Sequence, residues 1–369
     1  MSDDAFPEPD RIEGAPHPRE VANLFGQEKA EAEFLEAFTQ GRLHHGWLIT
    51  GPKGIGKATL AWRIARFLLS QTDGGMFDAP ADSLQTSPDD PIFRRTAALS
   101  EPGLYLCRRP YDQKAKRLKT AITVDEVRGL KNFFTMSSTD DGWRVAIIDA
   151  ADELNRAAEN ALLKILEEPP AKTAILLVAH QPSKLLPTIR SRCRELKCQP
   201  LSPDALAKAI TQAGFEANDP ATLATLAGGS AGESIDLLAH DGIRLYSDIV
   251  GLIATAPRMN RPRIIALGES CSGRGKEDRY DMVVRLTLLA LSRMALAGAR
   301  GDDSPINGEN DLRRFAGNQY QAQLWAELVQ VQSARIAHAR AVNLDPGQVI
   351  LDTFLAIDAT AGKASLVTS

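Results

Sequence analysis

The stretch Gly51-Pro52-Lys53-Gly54-Ile55-Gly56-Lys57-Ala58 follows the apolar run Trp47-Leu48-Ile49-Thr50 and opens a helical pattern. It nearly satisfies the phosphate-cradling pattern G-x-x-x-x-G-K-[ST]. In that pattern glycines let backbone N–H groups converge on phosphate oxygens, a lysine neutralises charge at the β/γ positions, and the last hydroxyl ligates Mg²⁺. Here the last position is Ala58, whose methyl group cannot ligate a metal. Thr59 stands one residue further on, turned about 100° round a helix. The stretch predicts a nucleotide-handling fold whose own engine is disabled.

The rest of the chain supports that architecture. Apolar residues at helical spacing (Leu24, Phe34, Leu35, Phe38) predict an amphipathic helix over 21–39, after an acidic, proline-containing tail at 1–20. A helix with an inward face of Leu60, Ile64, Phe67 and Leu68 follows the glycine loop. The runs Arg144–Asp149 and Ala174–Ala179 read as buried strands. Between them lies a helix with apolar positions 154, 158, 161, 162, 165 and 166, stopped by Glu168-Pro169-Pro170. Apolar runs alternating with helices indicate a parallel sheet covered on both faces. Residues 70–120, with Gly74-Gly75 and several prolines, read as an irregular insertion. Thr123 with Glu126 three residues on reads as a capping box. Residues 201–240 read as short helices around a Gly228-Gly229-Ser230 turn. Long amphipathic stretches such as 282–299 and 321–341, interrupted by a polar linker at 300–310, predict an all-α domain over 241–369.

With 369 residues, 44% hydrophobic and 24% charged, the composition is that of a globular protein, and a net charge of −4 argues against a wholesale nucleic-acid coat. The acidic, polar N-terminus is neither a signal nor a transit sequence. No uninterrupted apolar run approaches the ~20 residues that span a bilayer. The chain therefore reads as cytoplasmic, with no membrane partner. Cys107, Cys193, Cys198 and Cys271 lack C-x₂-C spacing and neighbouring histidines, which predicts reduced thiols and no structural metal.

A nucleotide hydrolase of this type needs an acid at the end of a second strand to hold Mg²⁺ and a neighbouring carboxylate to orient water. Asp149 stands at such a strand end, about 90 residues past the loop. The next position is Ala150, not a carboxylate. Ala58 and Ala150 thus remove two contacts, each worth roughly 10²–10⁴-fold. Hydrolysis by this chain alone is expected to be negligible. For Gly51, Gly54, Gly56, Lys57, Thr59 and Asp149 two readings stay open: a degenerate site with weak nucleotide binding, or a loop that only packs the strand–helix corner.

The stretch Asn160-Ala161-Leu162-Leu163-Lys164-Ile165-Leu166-Glu167-Glu168-Pro169-Pro170, followed by Leu185-Leu186-Pro187-Thr188-Ile189-Arg190-Ser191-Arg192-Cys193, resembles the AAA+ clamp-loader subunits of bacterial DNA polymerase III. The resemblance covers roughly residues 20–240 by motif. It extends onward by helical character and by Asn343-Leu344-Asp345-Pro346. It implies an α/β AAA+ P-loop domain with a parallel sheet, a small helical lid and an all-α C-terminal collar that oligomerises. It also implies that Arg192, the arginine of Ser-Arg-Cys, is an arginine finger acting in trans on a neighbour's ATP. A guanidinium so placed is worth ~10³–10⁵ in rate. The implied partners are the ATP-hydrolysing gamma/tau subunits, the delta subunit, the sliding clamp and primer–template DNA. ATP and Mg²⁺ belong to neighbouring subunits, and this chain requires no cofactor of its own. The sequence departs from family patterns in two places. The segment 70–120 carries only Cys107, so the cysteine-ligated zinc module of some members is expected to be absent. Around Gly229-Ser230-Ala231-Gly232-Glu233 there is no nucleotide-sensing arginine.

Two rival readings follow from the residues. One is an active ATPase motor, in which Thr59 and Asp152 or Glu153 substitute for the missing groups. The other is a DNA-binding repair or recombination protein using the basic cluster Arg108, Arg109, Lys114, Lys116, Arg117 and Lys119.

Overall fold

In the computed structural model, residues 7–71, 83–135, 142–300, 306 and 308–366 are described; the expectations placed on 1–6, on Gly74-Gly75 and on most of the 300–310 linker fall outside them. The chain divides into two compact units, Met1–Asp236 and Leu237–Ser369. The division falls a few residues before the 240/241 boundary read from the sequence.

The first unit runs through α1 (Glu28–Thr39), β1 (Gly46–Thr50), α2 (Lys57–Ser70), α3 (Pro91–Ala97), β2 (Leu104–Arg108), a hairpin of β3 (Tyr111–Asp112) and β4 (Arg117–Leu118), α4 (Val124–Thr135), β5 (Arg144–Asp149), α5 (Arg156–Glu167), β6 (Thr173–Ala179), α6 (Pro187–Arg190) and β7 (Arg194–Lys197). Its main sheet has the order β2-β5-β6-β1-β7, and every pair in it is parallel. β-Strand alternation sends side chains to both faces, and both faces are covered. Trp47, Ile49, Val145, Ile147, Leu176 and Val178 pack with α1 and α2, among Phe34, Leu60, Ile64 and Phe67. Leu48, Ala146, Ile148, Ile175 and Leu177 pack with α4 and α5, among Val127, Leu130, Leu162 and Ile165. The continuous apolar runs of β1, β5 and β6 have this double burial as their cause.

Three segments differ from the sequence reading. The helix expected over 21–39 begins only at Glu28. Gly26 has φ +73°, and a Cβ there would fall 2.7 Å from Leu201 Cδ2. The buried Gln27 side chain donates to the carbonyls of Ile55 (3.0 Å) and Gln199 (2.8 Å) and accepts from the Gln199 N–H (3.0 Å), so tertiary bonds override helical propensity. The irregular insertion at 70–120 supplies an edge strand, β2, which pairs with β5 from Leu104↔Val145 to Arg108↔Asp149. The expected loose tail at 1–20 is tied down over 8–20. Glu8 accepts from Arg19 and Arg108, each at 2.7 Å; Asp10 accepts from Arg108 at 2.7 Å; and His17 is fully buried. Arg66, on α2, also donates to the carbonyls of Arg19 and Val21. The Thr123–Glu126 pair forms as expected, with both the backbone N–H (2.8 Å) and the hydroxyl (2.6 Å) of Thr123 donating to the Glu126 carboxylate.

Three short helices complete the unit and reach its boundary: α7 (Pro203–Gln212), α8 (Pro220–Leu226) and α9 (Ala231–Ala239). Ser202 and Asp219 cap the first two by accepting backbone N–H bonds. Gly228 and Gly229, at φ +57° and +72°, turn the chain into the third.

The second unit is helical: α10 (Gly242–Ile253), α11 (Arg261–Cys271), α12 (Glu277–Arg300), a 3₁₀ segment Glu309–Phe315, α13 (Gln319–Ala341) and α14 (Pro346–Leu366). By length and composition α12 is the one described helix that could cross a membrane, although Arg285 and Arg293 interrupt its apolar run. Its apolar side chains Met282, Val283, Leu286, Ala290, Leu291 and Met294 lie in the core of this unit. Glu309 is buried there and held by Arg293 through two bonds of 2.8 Å and by the Tyr246 hydroxyl. The Asn343-Leu344-Asp345-Pro346 stretch is a helix–helix joint. Asn343 takes φ +53° after α13, Pro346 opens α14, and the Asp345 carboxylate accepts the Gln348 N–H at 2.9 Å.

Candidate functional site

The glycine loop joins β1 to α2 at the carboxyl end of the sheet, where ligands of open parallel sheets bind. Gly51, Gly54 and Gly56 have φ of +138°, +75° and +99°, a backbone shape that favours glycine. The loop is packed from outside. A Cβ at Gly51 would fall 2.7 Å from the Cys198 carbonyl oxygen, one at Gly56 2.7 Å from Leu24 Cδ1, and one at Gly54 2.3 Å from Ser230 Oγ and 3.1 Å from Gly232 Cα. The Gly232 N–H donates to the Gly54 carbonyl at 3.0 Å. The turn that starts α9 therefore sits directly on the loop.

Lys57 is 3% exposed, and its ammonium donates back to the Pro52 carbonyl of its own loop. Burial pulls its pKa down to about 8, against the opposing pull of Cys198, Asp149 and Asp152. Asp149 ends β5 and is 5% exposed. Burial pushes its carboxyl up to about 7; the charge of Asp10 adds to this and Lys57 opposes it. The structure thus brings the loop, Lys57 and Asp149 to one end of the sheet, with Thr59 in the first turn of α2. Those residues do not fit a triphosphate and Mg²⁺ as they stand. The lysine is turned inward, and Ala58 offers no metal ligand.

The substitute carboxylates are engaged elsewhere. Asp152 accepts the backbone N–H groups of His180 (2.9 Å) and Gln181 (3.1 Å), and Glu153 pairs with Arg109 Nε at 2.6 Å. His180 follows β6 at the same sheet end. Burial, with Lys57 adding to it, pulls its imidazole down to about 4. Among the described residues, no three His, Cys, Asp or Glu side chains gather as metal ligands do, and the four cysteines are free thiols. The basic cluster splits in two. Arg108 and Arg109 are held in ion pairs, whereas Lys114, Lys116, Arg117 and Lys119 are exposed on or beside the β3–β4 hairpin.

Arg192 lies at the other end of the sheet. It precedes β7, whose Arg194 pairs with Trp47 and whose Lys197 pairs with Thr50. Its carbonyl oxygen is 3.2 Å from where a Cβ on Gly46 would stand, at the first residue of β1. Five residues of strand at ~3.3 Å each separate this end from the loop by about 16 Å, more than an extended arginine spans. The side chain is 37% exposed, its Nη2 lies 3.0 Å from Glu167 Oε1, and its Nη1 donates to the Thr188 carbonyl at 3.1 Å. Sequence reading did not foresee these two holders. Their only signal was that Glu167 lies within the 160–170 stretch and Thr188 within the 185–193 stretch. The contact of Ser230 and Gly232 with Gly54 and the Asp10–Arg108 pair were also missed, since both join residues far apart in the chain.

Residues 26–202 match the family described as DNA polymerase III, delta subunit. A DNA polymerase III subunit delta' of Pseudomonas aeruginosa is 37% identical over 50% of this chain and 53% of its own length. The delta' subunit of Bacillus subtilis is 29% identical over 54% and 55%. A gamma/tau subunit of Mycobacterium tuberculosis is 28% identical over 95% and 56%. The chain thus spans about half the length of these relatives. Among solved structures, a DNA polymerase III gamma subunit-related protein of Thermotoga maritima overlays 89% of this chain and 99% of its own at TM-score 0.37 and 15% identity, too loose to argue from. The sheet, the glycine loop and these relatives agree: residues 26–202 of this chain match the DNA polymerase III delta-subunit family, and the relatives it resembles are delta' and gamma/tau subunits.

Proposed function

We propose that this chain is the non-hydrolysing, delta'-type stator of a clamp loader in the cytoplasm. It would help place a sliding clamp on primed DNA and supply Arg192 in trans to the ATP site of an adjacent subunit. The observation that carries the reading is the separation of Arg192 from its own glycine loop by the full height of the sheet. Any γ-phosphate this guanidinium meets belongs to another polypeptide. A half-exposed arginine, steadied by one carboxylate and one carbonyl, presents a planar fork suited to charge spreading over phosphoryl oxygens. Lack of hydrolysis rests on other residues. Ala58 carries no metal-binding hydroxyl, Ala150 carries no carboxylate, and Asp152 and Glu153 are committed to backbone amides and to Arg109.

The partners in this reading are gamma/tau and delta subunits, with the clamp and primer–template DNA reached through the complex. The chain would act as part of the DNA polymerase III holoenzyme, a DNA-directed DNA polymerase, while needing no cofactor itself. ATP turnover by the purified chain, and by the reconstituted complex carrying Lys57→Ala, tests the stator reading against the motor. No turnover by the chain and unchanged turnover by the complex support the stator; turnover abolished by Lys57→Ala favours the motor. The hairpin lysines give the DNA-binding reading its one specific observation. Under that reading, the isolated chain binds DNA with a steep salt dependence that is lost on neutralising Lys114, Lys116, Arg117 and Lys119.

A further inference from the structure

The space in front of the glycine loop is bridged by the chain's own N-terminal segment. Ile12 Cδ1 lies 2.9 Å from where a Cβ on Gly232 would stand, and Gly232 is itself seated on Gly54. Two residues earlier, Asp10 reaches the other half of the cradle. Its carboxylate takes an Arg108 Nη1 bond of 2.7 Å, and Arg108 is the register partner of Asp149 at the strand ends. Glu8 takes the other guanidinium nitrogen at 2.7 Å and shares its Oε1 with Arg19, also at 2.7 Å. Behind them the fully buried His17 places Nε2 3.0 Å from Asp10 Oδ2. Gly14 continues the path to within 3.5 Å (from a built Cβ) of Phe215, in the lid region. The segment thus runs from Arg108, beside the Asp149 strand end, to Gly232, which is seated on the loop, and on to Phe215.

We propose that residues 8–14 are the resident ligand of this cradle: an acidic segment of the same chain that holds, in cis, the space a nucleoside triphosphate would need. Its carboxylates satisfy Arg108 as phosphate oxygens would, and its isoleucine closes the lid turn onto the loop. A nucleotide enters only after the Glu8 and Asp10 pairs with Arg108 and the Gly232–Gly54 bond have opened together. A cradle closed about 99% of the time lowers apparent affinity about 100-fold. Silence of the site therefore has a second cause beyond the missing hydroxyl. The inference goes beyond the stator reading and does not depend on Arg192, so the isolated full chain tests it.

The experiment is equilibrium dialysis of Mg²⁺–ATP against the full chain, the double variant Glu8→Gln/Asp10→Asn, and Ile12→Ser, which leaves every ion pair in place. The expected result is at least about tenfold tighter binding by the variants than by wild type. Equal affinity in all three, whether measurable or not, overturns the proposal. Because loss of both carboxylates strands Arg108, amide hydrogen exchange of the wild-type chain with and without ATP supplies a reading that needs no variant. No change, or protection gained at 51–57 together with protection lost at 8–14, supports the strap. Protection gained at 51–57 with 8–14 unaltered overturns it.

Discussion

Replacing Asp149 by Asn should stabilise the first unit, by an amount that depends on pH. The carboxyl is buried at a strand end, and its pKa rises from 3.8 to about 7, through burial first and the charge of Asp10 second. At about 1.4 kcal/mol per tenfold change, this corresponds to roughly 4 kcal/mol of penalty on the ionised form. Because the folded pKa is the higher one, the folded chain binds the proton more tightly than the unfolded chain. Stability is therefore lost as pH climbs from about 4 to about 7, and the full penalty stands above 7. Lys57 behaves in the opposite sense. Burial lowers it to about 8, so its penalty is present below that pH and is relieved above it. Both burdens overlap between pH 7 and 8. Asn cannot ionise, which removes the first burden, but it also removes an attraction that Lys57 uses. The net gain is expected to be about 2–3 kcal/mol larger at pH 7.5 than at pH 5, because part of the penalty is already present at pH 5. Urea unfolding followed by tryptophan emission reads it, since Trp47, Trp62 and Trp143 all lie in the first unit. A gain that does not vary between pH 5 and 8, or a loss at pH 7.5, would refute the reasoning.

Gly54→Ala combines a left-handed backbone with a methyl group driven against Ser230 and the Gly232 backbone. It should cost about 1–3 kcal/mol in the same unfolding assay and raise exchange at the Gly232 amide. Glu126→Ala removes the acceptor of both Thr123 donors, and about 1 kcal/mol of stability should go with it. Its effect on a partner's ATP turnover should be nil.

Much of the first unit was legible because its information is local. The glycine loop, the apolar runs within the strands Arg144–Asp149 and Thr173–Ala179, and the proline stop after Glu167 each encode one element in consecutive residues. What escaped was encoded between distant residues. The N-terminal segment reads as a tail because Pro, Asp and Glu dominate it, yet its carboxylates meet an arginine about 100 residues away and so become ordered. β2 was unreadable for a related reason: Leu104-Tyr105-Leu106-Cys107-Arg108 is short, sits among prolines and earns its strand only by pairing with β5. The candidate site divides the same way. Gly51, Lys57 and Asp149 could be assembled from motif spacing, but the inward turn of Lys57 and the lid amide on Gly54 depend on packing. Arg192 could be named from its neighbours in sequence. That it stands at the opposite end of the sheet from its own loop follows only from the parallel register of β1 and β7.

The most direct measurement is ATP hydrolysis at the neighbouring subunit in a reconstituted complex carrying Arg192→Ala or Arg192→Lys, with assembly checked by co-elution. If the guanidinium acts in trans, the site it faces loses ~10³-fold or more in rate while the complex stays whole. Lysine rescues little, because it lacks the planar fork. Undiminished hydrolysis at that site in an intact complex would contradict the account.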